Sequence, residues 1–283
     1  MDLVGLQTFL AIVDTGSLVR ASERLHAGQS TITARLQRLE EELGRPLFSR
    51  TRSGVKLTTA GMKFRQYALA ITDLWQVARQ ETALPEGVET VVNLGCEYDL
   101  WPIAGKPMMQ QLRGCYPETA FSAWPAKQYE LEQWLVSGMI NAALSYQPIS
   151  ADNCSIHELA TETLLRVSNR ADTAAADDPG FIYVYAGGDM SQRHVAAYSD
   201  ADLARVSFGS NAWALDYLLA EGGSVYLPQK TAEPYLESGQ LHRVEEAPTQ
   251  QRKIYLITSD RNEQEWHWLP GTLEFLRAEL SGA

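Results

Sequence analysis

The chain has 283 residues, with 24 basic and 35 acidic side chains, a formal net charge of −11, 45% hydrophobic residues and 21% charged ones. At about 100–200 residues per domain this accommodates two domains, each large enough to bury a core. The composition excludes a disordered or disulfide-built chain: Cys96, Cys115 and Cys154 are odd in number and share no CxxC spacing. No apolar run approaches the roughly 18–20 residues that span a bilayer. Met1-Asp2-Leu3-Val4-Gly5 lacks the basic start of a signal peptide, so a reducing cytoplasm is the expected setting.

Charge is unevenly placed. Residues 1–65 hold ten Lys/Arg against six Asp/Glu, net +4, which leaves −15 for the remainder. All seven tryptophans and all three cysteines lie beyond residue 65. A basic head on an acidic body points to a polyanion met by the head alone.

The head reads as helices. Leu3, Leu6, Leu10 and Val13 recur at steps of three and four, one face of a first helix that Asp14-Thr15-Gly16 breaks. Ser17 is the expected N-cap of a second, with Leu18, Ala21 and Leu25 inward, and is also a candidate DNA contact. After a turn at Ala27-Gly28, a third helix carries Ile32, Leu36, Leu39 and Leu43 inward and ends near Gly44, with Pro46 beyond. Two short helices around a glycine turn form a helix-turn-helix whose second member enters the major groove. Its outward residues are Ser30, Ala34, Gln37 and Glu41, flanked by Thr33 and Arg38. Gln29, Ser30 and Thr31 occupy the N-terminal turn, where glutamine pairs with adenine and hydroxyls meet bases or phosphate. Leu47–Arg50 and Val55–Leu57 then flank Thr51-Arg52-Ser53-Gly54 as a two-stranded wing, with Arg50, Arg52 and Lys56 placed for phosphates.

Gly16-Ser17-Leu18 … Ala21 … Arg24-Leu25 … Gln29-Ser30 … Leu39-Glu40 … Leu43-Gly44 … Leu47-Phe48 … Arg50 … Leu57-Thr58 … Ala60-Gly61 resembles the DNA-binding domain of LysR-type transcriptional regulators. The likeness is dense to about residue 65 and fainter beyond. It implies a winged helix-turn-helix protein, dimeric or tetrameric, that binds double-stranded DNA and responds to a small co-inducer. Gly28 stands where the family often has a capping Ser or Thr, and Ala34 where a basic or polar residue is frequent; the neighbouring Arg35 is placed to supply a basic contact. Asp73-Leu74-Trp75-Gln76-Val77-Ala78-Arg79 and Leu100-Trp101 resemble the branch that includes a flagellar-operon repressor.

From Thr58 onward the pattern becomes one long helix. Ala60, Phe64, Tyr67, Ile71, Leu74 and Ala78 fall at steps of four and three, a heptad seam. At 1.5 Å per residue, residues 59–82 span about 36 Å. The seam predicts a dimer contact that sets two recognition helices about one DNA turn apart on a palindromic site. Leu84-Pro85-Glu86-Gly87 ends it, giving expected domains at 1–58, 59–86 and 87–283.

The body alternates strands and helices. Val91–Gly95, Ala142–Tyr146, Phe181–Tyr185 and Ile254–Ile257 read as strands, while Leu112, Leu131, Leu135 and Leu215–Leu219 sit in helical stretches. Arg170–Gly180 reads as a surface loop, and Ala220–Pro228 resembles the turn and strand near the end of LysR-type effector domains. That resemblance implies an α/β body of two Rossmann-like lobes, of periplasmic-binding-protein type, crossing near Thr161–Arg170 and returning near Lys253–Asp260. In such sensors a ligand lies beyond the carboxyl ends of strands. The loops there carry Glu97, Tyr98, Asp99 and Trp101, Trp124 and Lys127, Gln147, and Ser207, Ser210 and Asn211; Asp189 and His194 follow the third strand.

No catalytic or metal constellation stands out. His26, His157, His194, His242 and His267 lack ligand spacing, Gly209-Ser210-Asn211 is not a nucleophile elbow, and no cofactor loop is present. Trp266-His267-Trp268 reads as packing on a lobe surface, and Cys96 as an inert buried thiol. Two classes remain: a DNA-binding regulator, or a cytoplasmic small-molecule-binding protein or enzyme with a helical cap.

Overall fold

A computed structural model describes every residue except 1, 52–53, 85–86, 89, 152, 176–177, 186–203, 261–265 and 283. It divides the chain into two units, Met1–Leu84 and Pro85–Ala283.

In the first unit, α1 (Leu3–Thr15) starts where the Asp2 carboxylate accepts the Gly5 N–H at 2.7 Å. It stops at Gly16, whose φ of 64° is the left-handed value that favours glycine. The Ser17 hydroxyl caps α2 (Leu18–Arg24) at the Arg20 N–H. α3 (Gln29–Leu43) ends at Gly44, also left-handed. Strands β1 (Phe48–Thr51) and β2 (Gly54–Leu57) pair antiparallel, Phe48 opposite Leu57, and α4 (Thr59–Thr82) follows.

Two local devices set the hairpin. The Glu40 carboxylate accepts the N–H groups of Leu47 and Phe48 at 2.6 and 3.2 Å, fixing where the chain leaves α3. The Val55 N–H donates to the Gly16 carbonyl at 3.2 Å, tying the hairpin to the α1–α2 turn. Gly54, at φ 137°, touches the same turn: a Cβ there would lie 2.5 Å from the Gly16 oxygen.

Phe9 is the centre of this core, its ring 5.3 Å from Phe48 and 5.2 Å from Phe64. Leu6, Leu39, Leu47 and Ala68 are buried with it, and Ile12 and Ile32 form a neighbouring cluster with Ala11, Ala21 and Leu36. The expected α1 stripe is therefore displaced: Leu3, Leu10 and Val13 are only partly buried, because α3 and α4 cover α1 from two sides and draw in Phe9 and Ile12. Leu43, expected inward, is 40% exposed and joins neither cluster that holds Ile32, Leu36 and Leu39. The α4 seam also divides. Ala60, Phe64 and Ile71 pack on the unit's own core, while Tyr67 and Leu74 are 58% and 38% exposed.

The second unit holds a nine-stranded sheet among the described residues. Its strands are β3 (Thr90–Cys96), β4 (Thr119–Pro125), β5 (Ala142–Ser145), β6 (Cys154–Ser168), β7 (Phe181–Val184), β8 (Val206–Phe208), β9 (Ser224–Pro228), β10 (His242–Arg243) and β11 (Gln250–Ser259). The spatial order is β4-β3-β5-β11-β6-β9-β7-β8, with β10 beside β6. β3, β4 and β5 run parallel, as do β7, β8 and β9. Between these triplets the long β6 and β11 run antiparallel, β11 reaching β5 through Tyr255–Thr258 and β6 reaching β9 through Leu164–Ser168. Each triplet is a lobe, and the two long strands are the only sheet ladders joining them among the described residues.

Helices α5 (Lys106–Cys115), α6 (Gln128–Ser137) and α9 (Leu269–Gly282) belong to the first lobe, and α7 (Asn211–Glu221) and α8 (Gln229–Glu237) to the second. The first lobe's core gathers Leu94, Met108, Leu144, Trp268 and Leu276; the second's gathers Val167, Ile182, Leu218 and Leu227.

Several expectations change here. The stretch 119–125 is a strand, β4, while the crossing expected near Thr161–Arg170 lies where β6 passes from β11 to β9. Trp266 and Trp268 are core residues with rings 5.2 Å apart, not a surface patch. The loop after β6 is not merely superficial: the Asp178 side chain is buried against Arg166 at 3.2 Å, and Arg166 also donates to the Ala175 carbonyl. Among the described residues no single helix is long and apolar enough to cross a membrane.

Candidate nucleic-acid interface and inter-lobe cleft

At the start of α3, Gln29, Ser30 and Thr31 are exposed, and so are Ala34, Gln37 and Glu41 along the outward face. Gly28 occupies the N-cap and offers no side-chain acceptor. The first-turn N–H groups of α3 therefore have no side-chain cap, the condition in which a helix N-terminus takes a phosphate.

Other residues expected here already have internal partners. The Ser17 hydroxyl is the α2 cap, and the Thr33 hydroxyl donates back to the Gln29 carbonyl at 2.9 Å. Arg38 lies between Asp2 at 3.9 Å and Glu42 at 3.5 Å, on the flank of α3 nearest the α1 N-terminus. Arg35 is half-buried on that flank. Lys56 is exposed on β2 opposite Ser49. Arg50 pairs through its backbone with Val55, and Arg52 lies outside the described residues.

In the second unit the candidate cleft residues gather where strands of both lobes end. Asp99 follows β3 in a short 3-10 turn; Ser210 and Asn211 begin α7 after β8. Across that sequence distance the Asp99 carboxylate accepts the Ser210 hydroxyl at 2.8 Å, the Asn211 N–H at 2.9 Å and the Asn211 side-chain amide at 2.6 Å. Glu97 turns to the other side, accepting the Ser145 hydroxyl at 2.7 Å and the Tyr146 N–H at 2.9 Å. Burial pushes the Glu97 carboxyl above its usual range, against the pull of those two hydrogen bonds and of Arg252.

Arg252 and Tyr146 complete the cluster, and neither was anticipated from sequence. Arg252 lies on β11 just before that strand reaches β5, with its guanidinium 3.6 Å from the Tyr146 ring centre. Its Nε donates to Glu162 at 2.5 Å, while Nη1 and Nη2 are buried with no hydrogen-bond partner among the described residues. Burial raises the Tyr146 phenol well above its ordinary value, so it stays a neutral O–H. The available signal was the strand itself: Gln250, Arg252, Ile254 and Leu256 alternate inward, and a charge on an inward face calls for a partner.

The remaining candidates are dispersed. Trp124 lies inside β4, level with Gly95, instead of in a loop. Trp101 packs on the first lobe's core in a π turn (Trp101–Gly105), Tyr98 and Ser207 are exposed, and Gln147 donates its N–H to the Ser145 hydroxyl. Asp189 and His194 lie outside the described residues. Burial and the adjacent Glu97 push the Cys96 thiol far up, which leaves it protonated.

Residues 3–62 match the family described as bacterial regulatory helix-turn-helix protein, lysR family. Among curated proteins, the HTH-type transcriptional regulator HdfR of Salmonella newport and that of Salmonella typhi are each 28% identical over 260 residues, covering 91% of this chain and 92% of theirs. Among solved structures, CbnR, a LysR family transcriptional regulator, superposes with a TM-score of 0.70 at 20% identity, over 99% of both chains. LysG from Corynebacterium glutamicum with bound effector Arg gives 0.55 at 20% identity, again over 99% of both. These solved structures share the fold.

Proposed function

We propose that this chain acts as a LysR-type transcriptional regulator, reading DNA with the first turn of α3 while the second unit senses a small molecule. Gln29, Ser30 and Thr31 meet base edges in the major groove, with Arg35 beside them. Arg50, Arg52 and Lys56 hold phosphates on either side of the hairpin, adding affinity without sequence information. Ser17, Thr33 and Arg38, each engaged within the protein, position these groups more than they read DNA.

The exposed apolar side chains of α4, Tyr67 and Leu74 among them, support a helix-to-helix contact with a second copy. Ala60, Phe64 and Ile71 serve the fold of the head, and Ala78 belongs to the far end of the same face. Such a dimer presents two α3 helices to an interrupted palindrome. We take the chain to work in the cytoplasm, by binding and not by catalysis. The small molecule lies between the lobes near Asp99, Trp101, Gln147 and Ser210, a reading that the effector arginine bound to LysG encourages.

The observation that carries this reading is the exposed, uncapped N-terminus of α3 on a unit with net charge +4 to residue 65. Recovery of genomic fragments by the purified full chain at two salt concentrations tests it. Fragments sharing one interrupted palindrome are expected; motif-free recovery that disappears with salt would contradict it.

A further inference from the structure

The N-terminus of an α-helix carries about half a positive charge and several unclaimed N–H groups, so it attracts an anion. At α7 that anion comes from the chain itself. Asp99 stands on the first lobe, and its carboxylate takes the Ser210 hydroxyl, the Asn211 N–H and the Asn211 amide of the second lobe at 2.6–2.9 Å. Ser210 is both donor and cap, since its oxygen also accepts the Ala212 N–H at 3.2 Å.

Asn211 supplies an independent sign of what the position selects. The residue is 4% exposed, and its Oδ1 is buried with no hydrogen-bond partner among the described residues. Turning the amide over would aim that oxygen at a carboxylate. The orphaned oxygen is thus the cost of keeping the NH2 group on Asp99. The amide is set by an acceptor, and the acceptor present is the Asp99 carboxylate.

We propose that Asp99 is a built-in carboxylate ligand: it fills an oxyanion site on the second lobe and latches the two lobes together. A small carboxylate effector acts by taking Ser210 and Asn211 from Asp99, which releases the latch. The effector step rests on the regulator reading above; the latch does not.

The test uses the full chain, wild type, Asp99→Ala and the double variant Asp99→Ala/Ser210→Ala, with thermal unfolding followed in sodium chloride and in sodium acetate of equal ionic strength. Asp99→Ala should melt about 5–10 °C below wild type in chloride. Acetate, entering the space left by the side chain, should restore at least half of that loss, and should do much less for wild type or for the double variant. An equal acetate effect on wild type and Asp99→Ala, or none on a variant with wild-type circular dichroism, overturns the latch. Should Asp99→Ala not fold, Asp99→Asn keeps the shape and can turn its oxygen to the Asn211 donors and its NH2 to the Ser210 oxygen, so that it removes the charge alone. A melting temperature equal to wild type for Asp99→Asn also overturns it. Operator affinity of Asp99→Ala, measured with and without acetate, should move several-fold and return toward wild type on rescue. If no variant prefers operator to random DNA, the regulator reading fails while the melting data still decide the latch.

Discussion

In the first unit the buried side chains are apolar, Thr8 apart, and the described charges lie outside; in the second unit ionisable groups are drawn in. Arg166 and Asp178 are each 2% exposed at the side chain, Arg252 is buried against Glu162, and Asp99 bonds across the lobes. A core made of Phe9 and its aliphatic neighbours fixes one arrangement at little electrostatic cost and leaves positive charge free for a polyanion. A buried charge is satisfied in one geometry only, and of these three sets the Asp99 bonds are the ones that pass from one lobe to the other. The first unit is held by an apolar core alone, and the second also by buried charge pairs.

The largest expected effects test that contrast directly. Phe9→Ala removes a fully buried ring and should lower the stability of the first unit by about 3–5 kcal/mol, with loss of DNA binding and little change in the unfolding of the second unit. Asp178→Ala strips Arg166 of its buried carboxylate and should cost the second unit about 3–5 kcal/mol, with the first unaffected. Calorimetry of both variants resolves the two cases. Arg166→Met combined with Asp178→Leu should recover much of the loss, since an apolar pair leaves no charge buried alone. A single transition that shifts equally in both variants would erase the distinction between the units.

A smaller effect is expected on association. Tyr67→Asp with Leu74→Asp places two charges on the exposed face of α4 and should weaken the dimer by about 100-fold, near 3 kcal/mol, while circular dichroism holds. Ile71 is unsuitable for this purpose because it packs on the first unit's own core. Sedimentation of the variant at wild-type dimer concentrations would refute the α4 contact by showing no change.

The contrast between units also explains what the sequence disclosed. Helices α1 to α4 are local objects: Ser17, Gly16 and Gly44 mark their ends, and spacing marks their faces. Phe9 escaped because α1 is covered from two sides, so its buried arc is wider than one stripe. β6 escaped for a different reason. Its first half is half-exposed against β11 and its second half buried on both faces, so neither pattern runs long enough to register. In the cleft, Asp99 and Ser210 were both legible as residues beyond strand ends. Their bond was not, because it joins positions 111 apart through the fold and leaves no local spacing. Arg252 was detectable only as a charge on an inward strand face.

The finest expected effect concerns reading against gripping, and it bears most directly on how the head recognises DNA. Operator and random DNA should be titrated with the full chain, Gln29→Ala and Lys56→Ala over a range of salt. Gln29→Ala should lose about 1–3 kcal/mol on operator alone, shrinking the specificity ratio at an unchanged salt slope. Lys56→Ala should weaken both DNAs together and lower the slope by roughly one. Equal loss on operator and random DNA for Gln29→Ala would contradict the claim that the exposed first turn of α3 reads sequence.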